Sequence, residues 1–145
     1  MGEQSGFERG RELILSVWGE EYGGALLERI AALSPEFQRM VVEFLYGHRW
    51  TQPAPDFKTR SLVTVGALTA LHRPHQLRIH IVGALNNGAS EREIEETILQ
   101  VGMLAGLPAA WDALIVARKV FGEYREGRFH RSETAAAASA PSFEE

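Results

Sequence analysis

The sequence contains no cysteine. This absence excludes disulfide bonds, thiolate nucleophiles, thiol peroxidase chemistry and cysteine-ligated metal sites from the 145 residues. Any chemistry that the chain performs must therefore use histidine, carboxylate, arginine or hydroxyl groups.

The sequence also lacks long apolar runs and a strong excess of one charge. No stretch reaches the roughly 18 apolar residues of a membrane span, and the first residues, MGEQSGFERG, have no apolar core of a secretion signal. The formal charge of -4 is too small to indicate a nucleic-acid surface. We therefore expect a cytoplasmic protein that binds small molecules or other protein chains, with no nucleic-acid or membrane partner.

Helix signals recur along the chain, and no stretch alternates apolar and polar residues as a strand would. The sequence predicts an all-α fold, a compact bundle of about six helices in a single domain over residues 1–127. Residues 128–145 include ETAAAASAPSFEE, which has no apolar period and predicts a disordered tail.

Capping residues and helix breakers predict where the helices begin and end. Capping boxes at Ser5/Glu8 and Ser90/Glu93 open two helices, and Ser34-Pro35 and Asp56 open two others. The remaining signals predict a helix from about Tyr22 to Leu33, an end of the third helix near Gly47, a helix from Asp56 to about Leu71, a helix over Pro74–Asn86 closed by Asn87-Gly88, a stop at Gly106, and a last helix from Pro108.

The helix over residues 74–86 carries a polar stripe beside its apolar one. Gln76, His80 and Asn87 project in similar directions, with Arg73 near the same side and Gly83 leaving room beside the imidazole. This arrangement predicts a pocket floor with a hydrogen-bonding amide and a titratable base. A single histidine on a helix is nevertheless more often a surface or hydrogen-bonded residue, and spacing alone leaves both readings open.

Metal binding is not predicted. His72, His75 and His80 are close in sequence, but Pro74 interrupts the helix and the interval from 75 to 80 does not place two side chains on one face. No HExxH pattern completes a site.

Trp50 and Arg60 each allow a functional and a structural reading. The Trp50 ring could line a ligand cleft or fill the core. The Arg60 guanidinium could bind a carboxylate bidentately or remain a solvated charge.

Two segments resemble the carboxymuconolactone decarboxylase family: TRSLVTVGALTAL, and HQLRIHIVGALNNGASEREIEETILQVGMLAGLPAAWDA. The resemblance extends from about Phe7 to Phe121 and is most specific in Asn86-Asn87-Gly88, Glu93-Ile94 and the run GLPAA at 106–110. It implies an all-α fold of the alkylhydroperoxidase D-like type, assembled into a ring-like homo-oligomer, expected as a trimer or hexamer.

The family includes a peroxidase branch with a CxxC pair before the motif histidine. Here Arg73 and Gln76 occupy the two cysteine positions, so the resemblance implies the cysteine-free decarboxylase branch, with His80 at the motif histidine. That branch acts on 4-carboxymuconolactone and needs no cofactor, because the substrate accepts its own electrons. Decarboxylases of the family usually have acidic residues at positions 76 and 48 and arginine at 52, where this chain has Gln76, His48 and Gln52.

The resemblance and the required chemistry together suggest roles for individual residues. We assign His80 as the acid and Gln76 as the oxyanion donor, with carboxylates held by Arg60 and Arg73. Trp50 would exclude water, and Tyr46 and His48 are further substrate-binding candidates. Two alternatives stay open: a sister enzyme acting on another lactone or keto acid, and a ring-forming protein that binds a ligand without turnover.

Overall fold

A computed structural model describes residues 2–129. The described residues are helical, with no strand, which confirms the all-α prediction. They contain seven α-helices and a π-helical segment, where about six helices were predicted: α1 (Gly6–Trp18), α2 (Glu20–Leu33), α3 (Pro35–Arg39), the π-helical segment (Met40–Arg49), α4 (Phe57–Ala70), α5 (Pro74–Asn86), α6 (Glu91–Ala105) and α7 (Leu107–Arg125).

The predicted capping residues open the helices. Ser5 and Glu8, and likewise Ser90 and Glu93, form complete capping boxes at the starts of α1 and α6. The Asp56 side chain accepts a hydrogen bond from the Thr59 backbone N–H at 2.7 Å and so caps α4. Satisfying these otherwise free N–H groups fixes where each helix begins.

The described chain divides into two compact units, residues 2–54 and Pro55–Phe129. In residues 2–54, α1 packs on α2 and on the π-helical segment. The apolar residues buried there are Leu13, Ile14, Val17, Trp18, Leu26, Val42, Tyr46 and Trp50.

The third predicted helix differs most from expectation. It continues past Gly47 to Arg49, and its last ten residues are π-helical. Glycines bring this segment and α1 into backbone contact, since a Cβ atom on Gly10 would overlap the carbonyl oxygen of Val42, and one on Gly47 would overlap that of Gly6. Such a fit depends on the neighbouring helix, so local sequence signals did not predict it.

In the second unit, Pro55–Phe129, α4 packs against α5, α6 and α7, and α5 packs against α7. Val65, Leu77, Ile81, Ile94, Ile98, Val120 and Phe121 are buried in this unit. Arg78 on α5 makes an ion pair with Glu123 on α7 at 2.6 Å, and its guanidinium lies 5.5 Å from the ring centroid of Phe129. Residues 130–145 of the predicted tail lie outside the described residues.

Both helices of the α4–α5 hairpin end in the same hydrogen-bonded turn. At the end of α5, Gly88 N–H donates to the Leu85 carbonyl and Ala89 N–H to that of Ala84, with Gly88 at φ +92°. This Schellman motif confirms the predicted left-handed cap.

No helix among residues 2–129 combines the length and apolarity that crossing a bilayer requires.

Candidate active site

Helix α5 holds the polar residues that the sequence singled out. Arg73 is its N-cap residue and is exposed, Gln76 is exposed, and His80 is partly buried one turn further on. Leu77, Ile81 and Ala84 on the predicted apolar stripe are buried, but Gly83 on the predicted polar stripe is buried as well. The buried stripe fixes the rotation of α5 and therefore the direction in which Gln76 and His80 project.

Burial changes the charge state of His80. Removing the imidazolium from water costs hydration energy, and this desolvation lowers the pKa of His80 from 6.5 to about 4. At pH 7 the ring is therefore neutral, so one nitrogen is able to donate a hydrogen bond and the other is able to accept one. In the unliganded protein His80 is a base or a neutral donor, and it can serve as the predicted acid only after gaining a proton.

Asn87 has a structural partner that the sequence did not indicate. Its side-chain amide donates a hydrogen bond to the Ser61 hydroxyl at 3.0 Å, which joins the end of α5 to the first turns of α4. Ser61 is buried, with 1% of its surface exposed. The contact connects residues 26 positions apart, so only the folded chain reveals it.

The two arginines assigned to carboxylate binding lie in the same unit as His80. Arg60 is partly buried near the start of α4, and its carbonyl accepts a hydrogen bond from the Thr64 hydroxyl at 2.8 Å. Arg73 lies at the turn between α4 and α5 with an exposed side chain. The unit Pro55–Phe129 therefore contains His80, Gln76 and both predicted carboxylate receptors.

Tyr46 and Trp50 belong to the other unit, residues 2–54, where both are buried. Their ring centroids are 5.3 Å apart, and Trp18 meets Tyr46 edge-on at 5.6 Å. Burial raises the pKa of Tyr46, so its hydroxyl stays protonated. Within this unit the aromatic packing favours the core reading of Trp50 over a cleft-lining one.

His48 and Gln52 also lie in residues 2–54 and share an open groove of about 840 Å³. The His48 ring packs where Gly6 has no side chain, because a Cβ atom there would lie 2.6 Å from Nε2. The Gln52 amide donates to the His48 carbonyl at 3.0 Å. Apolar side chains complete the lining of the groove, together with one arginine: Met40, Phe44, Leu45 and Arg49.

The turn between α4 and α5 holds a residue that the sequence reading did not assign. His72 has φ +52° and is the one non-glycine residue with positive φ among residues 2–129. It lines a cavity of about 180 Å³ together with Arg73 and Asp112. A histidine gives no strong local signal for a left-handed turn, and the cavity requires α7, so neither could be predicted from the segment alone.

No group of three or more histidine, aspartate or glutamate side chains within residues 2–129 is arranged to hold a metal ion. The residues of this unit that the sequence assigned to the site are His80, whose imidazole is neutral at pH 7, the amide Gln76, and the guanidinium groups of Arg60 and Arg73. These features describe an all-α protein that carries a partly buried, neutral histidine on α5, in a sequence without thiols.

Comparison with known proteins gives the family. The family model described as the carboxymuconolactone decarboxylase family matches residues 35–119. The chain therefore belongs to the carboxymuconolactone decarboxylase family, as the sequence resemblance indicated.

Three relatives show the range of this similarity. The chain is 36% identical over 121 residues to the 4-carboxymuconolactone decarboxylase of Acinetobacter baylyi, covering 83% of this chain and 90% of the relative. It is 31% identical over 128 residues to the nitrosuccinic acid decarboxylase of Metarhizium robertsii, covering 88% and 90%. It is also 42% identical over 97 residues to an uncharacterized 15.0 kDa protein of Paracoccus denitrificans, covering 65% and 72%.

Proposed function

We propose that this protein is a carboxy-lyase that converts 4-carboxymuconolactone to 3-oxoadipate enol-lactone in the degradation of aromatic compounds. The observation that carries the proposal is the 36% identity to a 4-carboxymuconolactone decarboxylase over 83% of the chain. The neutral histidine His80 and the assigned arginines Arg60 and Arg73, all in the unit Pro55–Phe129, support it, because the reaction needs such groups.

The substrate supplies its own electron sink. The carboxylate that leaves is attached γ to the lactone carbonyl through a double bond. When its carbon–carbon bond breaks, carbon dioxide departs and the electron pair moves through the double bond onto the lactone carbonyl oxygen. The resulting dienolate then takes a proton on a ring carbon. The protein must stabilise the oxyanion, hold the carboxylates and deliver that proton, and no cofactor is required.

Gln76, Arg60 and Arg73 are assigned to the first two tasks. The Gln76 amide is exposed and has two N–H donors that can approach the developing oxyanion. The guanidinium groups of Arg60 and Arg73 match carboxylates in shape and charge. A neutral amide at position 76 cannot exchange protons as a carboxylate would, so His80 is the only one of these four residues that can carry the proton.

His80 is assigned as the proton carrier in a two-state cycle. Its ring is neutral in the free protein because burial lowers its pKa. A substrate with two carboxylates brings negative charge to the site, which favours the imidazolium form. His80 would therefore take up a proton as the substrate binds and transfer it to the dienolate carbon. One proton is consumed per carbon dioxide released, which balances the reaction.

A sister decarboxylase is the second candidate function, and the similarity to a nitrosuccinic acid decarboxylase favours it. In nitrosuccinic acid a nitro group, instead of a lactone, can accept the electrons that carbon dioxide leaves behind. Both substrates are dicarboxylates that lose one carboxylate and keep the other. The sequence departs from the usual residues of lactone decarboxylases at Gln76, Gln52 and His48, and these departures support a change of substrate.

The proposal includes a homo-oligomer, a trimer or hexamer. Apolar side chains on α6 and α7 are strongly exposed, among them Leu104 at 83%, Met103 at 75% and Trp111 at 71%. An apolar face of this kind on a single chain is typical of a protein interface. Sedimentation velocity on the purified protein tests this part of the proposal, and a monomer at micromolar concentration contradicts it.

The experiment that tests the activity is incubation of the purified protein with freshly generated 4-carboxymuconolactone. Loss of the lactone and release of carbon dioxide are followed against a control without protein, and nitrosuccinic acid is assayed in parallel. Saturable turnover of the lactone supports the first candidate, and turnover of nitrosuccinic acid alone supports the second. If a folded sample accelerates neither reaction, both candidate functions are contradicted.

A pair of variants connects the activity to the assigned histidine. His80→Ala is expected to remove turnover, whereas His75→Ala changes an exposed histidine on the same helix and is expected to leave turnover close to that of the unmodified protein. Undiminished turnover by His80→Ala contradicts the role of His80 even if the protein is a decarboxylase.

A further inference from the structure

In the turn between α4 and α5, His72 has a positive φ of +52°, a backbone conformation that favours glycine. His72 N–H donates to the Thr69 carbonyl at 3.2 Å and Arg73 N–H to that of Leu68 at 3.1 Å, which is the hydrogen-bond pattern that closes α5 at Gly88. The same type of turn therefore ends both α4 and α5. Its residue with positive φ is Gly88 at the end of α5 and His72 at the end of α4. A residue with a Cβ atom is disfavoured in this conformation.

Strain of this kind is retained in proteins mainly where the side chain has a task. The His72 side chain is exposed and is not packed into the apolar core. It lines the cavity of about 180 Å³, with Arg73 beside it in the sequence and Asp112 contributed by α7. None of the ion pairs among residues 2–129 involves these three residues.

The size of the cavity limits what it can hold. Water occupies about 30 Å³ per molecule in the liquid, so 180 Å³ corresponds to roughly six waters. Sites that enclose a whole small-molecule ligand usually measure about 300–1,000 Å³. This cavity therefore fits one arm of a substrate. Its walls combine apolar surface with polar groups, and the apolar part consists of Leu68, Leu77, Ala109 and Ala113.

We propose that this cavity receives the carboxylate arm that the substrate keeps, and that His72 and Arg73 bind its oxygens. The inference rests on the proposed function, but it holds for either candidate substrate, because both retain one carboxylate. The methylene part of the arm would contact the apolar wall, and the guanidinium and an imidazole N–H would donate to the carboxylate. Asp112 would oppose the same carboxylate and so limit affinity.

Two single variants with opposite expected effects on KM test the inference, and a third serves as a control. His72→Gly removes the side chain and the strained conformation together. It is expected to raise the Tm by about 3 °C and to raise KM about tenfold with little change in kcat. Asp112→Asn removes a like charge and is expected to lower KM about threefold. His75→Ala removes an exposed histidine that does not line the cavity; it is the matched control and should leave KM unchanged.

Binding of succinate, a dicarboxylate without an electron sink, is measured by calorimetry on the same proteins. Weaker succinate binding by His72→Gly and tighter binding by Asp112→Asn are expected whether or not the unmodified protein decarboxylates either candidate. The binding result therefore separates failure of this inference from failure of the proposed function.

Two results would overturn the inference. A higher Tm for His72→Gly with unchanged KM and unchanged succinate affinity would make His72 a turn residue only. Weaker binding by Asp112→Asn would mean that the occupant of the cavity is a donor or a cation instead of a carboxylate.

Discussion

The burial of His80 predicts a pH dependence of stability that can be measured without any substrate. Its pKa is lowered from 6.5 to about 4 in the folded protein. Between these values the unfolded chain binds a proton that the folded chain does not, so stability falls as the pH falls. Stability from this group is therefore fully present above pH 6.5 and is lost progressively toward pH 4.

The magnitude follows from the two pKa values. Between pH 7.5 and pH 5, a shift from 6.5 to about 4 lowers the free energy of unfolding by about 2 kcal/mol. Three carboxyl groups also have lowered pKa values, Glu8 and Asp56 through capping hydrogen bonds and Glu93 mainly through Lys58. Their ordinary values are 4.5 or below, so their contributions are lost at lower pH. The interval from pH 7.5 to 5 therefore lies above the range in which these three carboxyl groups lose their contributions.

Guanidinium unfolding at pH 7.5, 6 and 5 measures this change. The unmodified protein should lose about 2 kcal/mol more over the interval than His80→Gln, which cannot be protonated there. His75→Gln, the same substitution at an exposed position of the same helix, is the matched control. Equal losses in the unmodified protein and in His80→Gln would refute the reasoning, as would an imidazole titration with a midpoint near 6.5.

Two further changes test the packing around the site. Gly10→Ala should prevent native packing of α1 on the π-helical segment, because the new methyl group would overlap a backbone carbonyl. Gly24 has open space around it, so Gly24→Ala should stabilise the protein by up to about 1 kcal/mol. Thermal unfolding of the two variants measures both effects. Ser61→Ala should lower the free energy of unfolding by about 1 kcal/mol by removing the acceptor of the Asn87 amide, and chemical denaturation that finds no loss would mean that this contact is not maintained in solution.

Local signals predicted most of the helix boundaries. The capping boxes at Ser5 and Ser90 and the turn at Asn87-Gly88 operate within a few residues, so the sequence alone contains the information. The burial of Leu77, Ile81 and Ala84 on one side of α5 was predictable for the same reason. Helical periodicity determines which of its residues share a face.

Features that depend on contacts between distant segments were not predictable in this way. The π-helical segment requires the glycine contacts with α1, and the Ser61 hydroxyl becomes a partner of Asn87 only when α4 and α5 pack together. The two readings of Trp50 could not be separated without knowing that its ring lies against Tyr46. The charge state of His80 likewise depends on burial, which spacing along a helix does not determine.

Helices α4 and α5 are connected at both ends of the hairpin that they form. At one end the tight turn through His72 joins the two helices, and at the other the Asn87 amide bonds to Ser61. A shift of one helix along the other by one helical turn would break either the hydrogen bonds of the turn at His72 or the hydrogen bond between Asn87 and Ser61. The distance between Arg60 and His80 along the hairpin is therefore set before any ligand arrives, so substrate binding need not supply the free energy to order it.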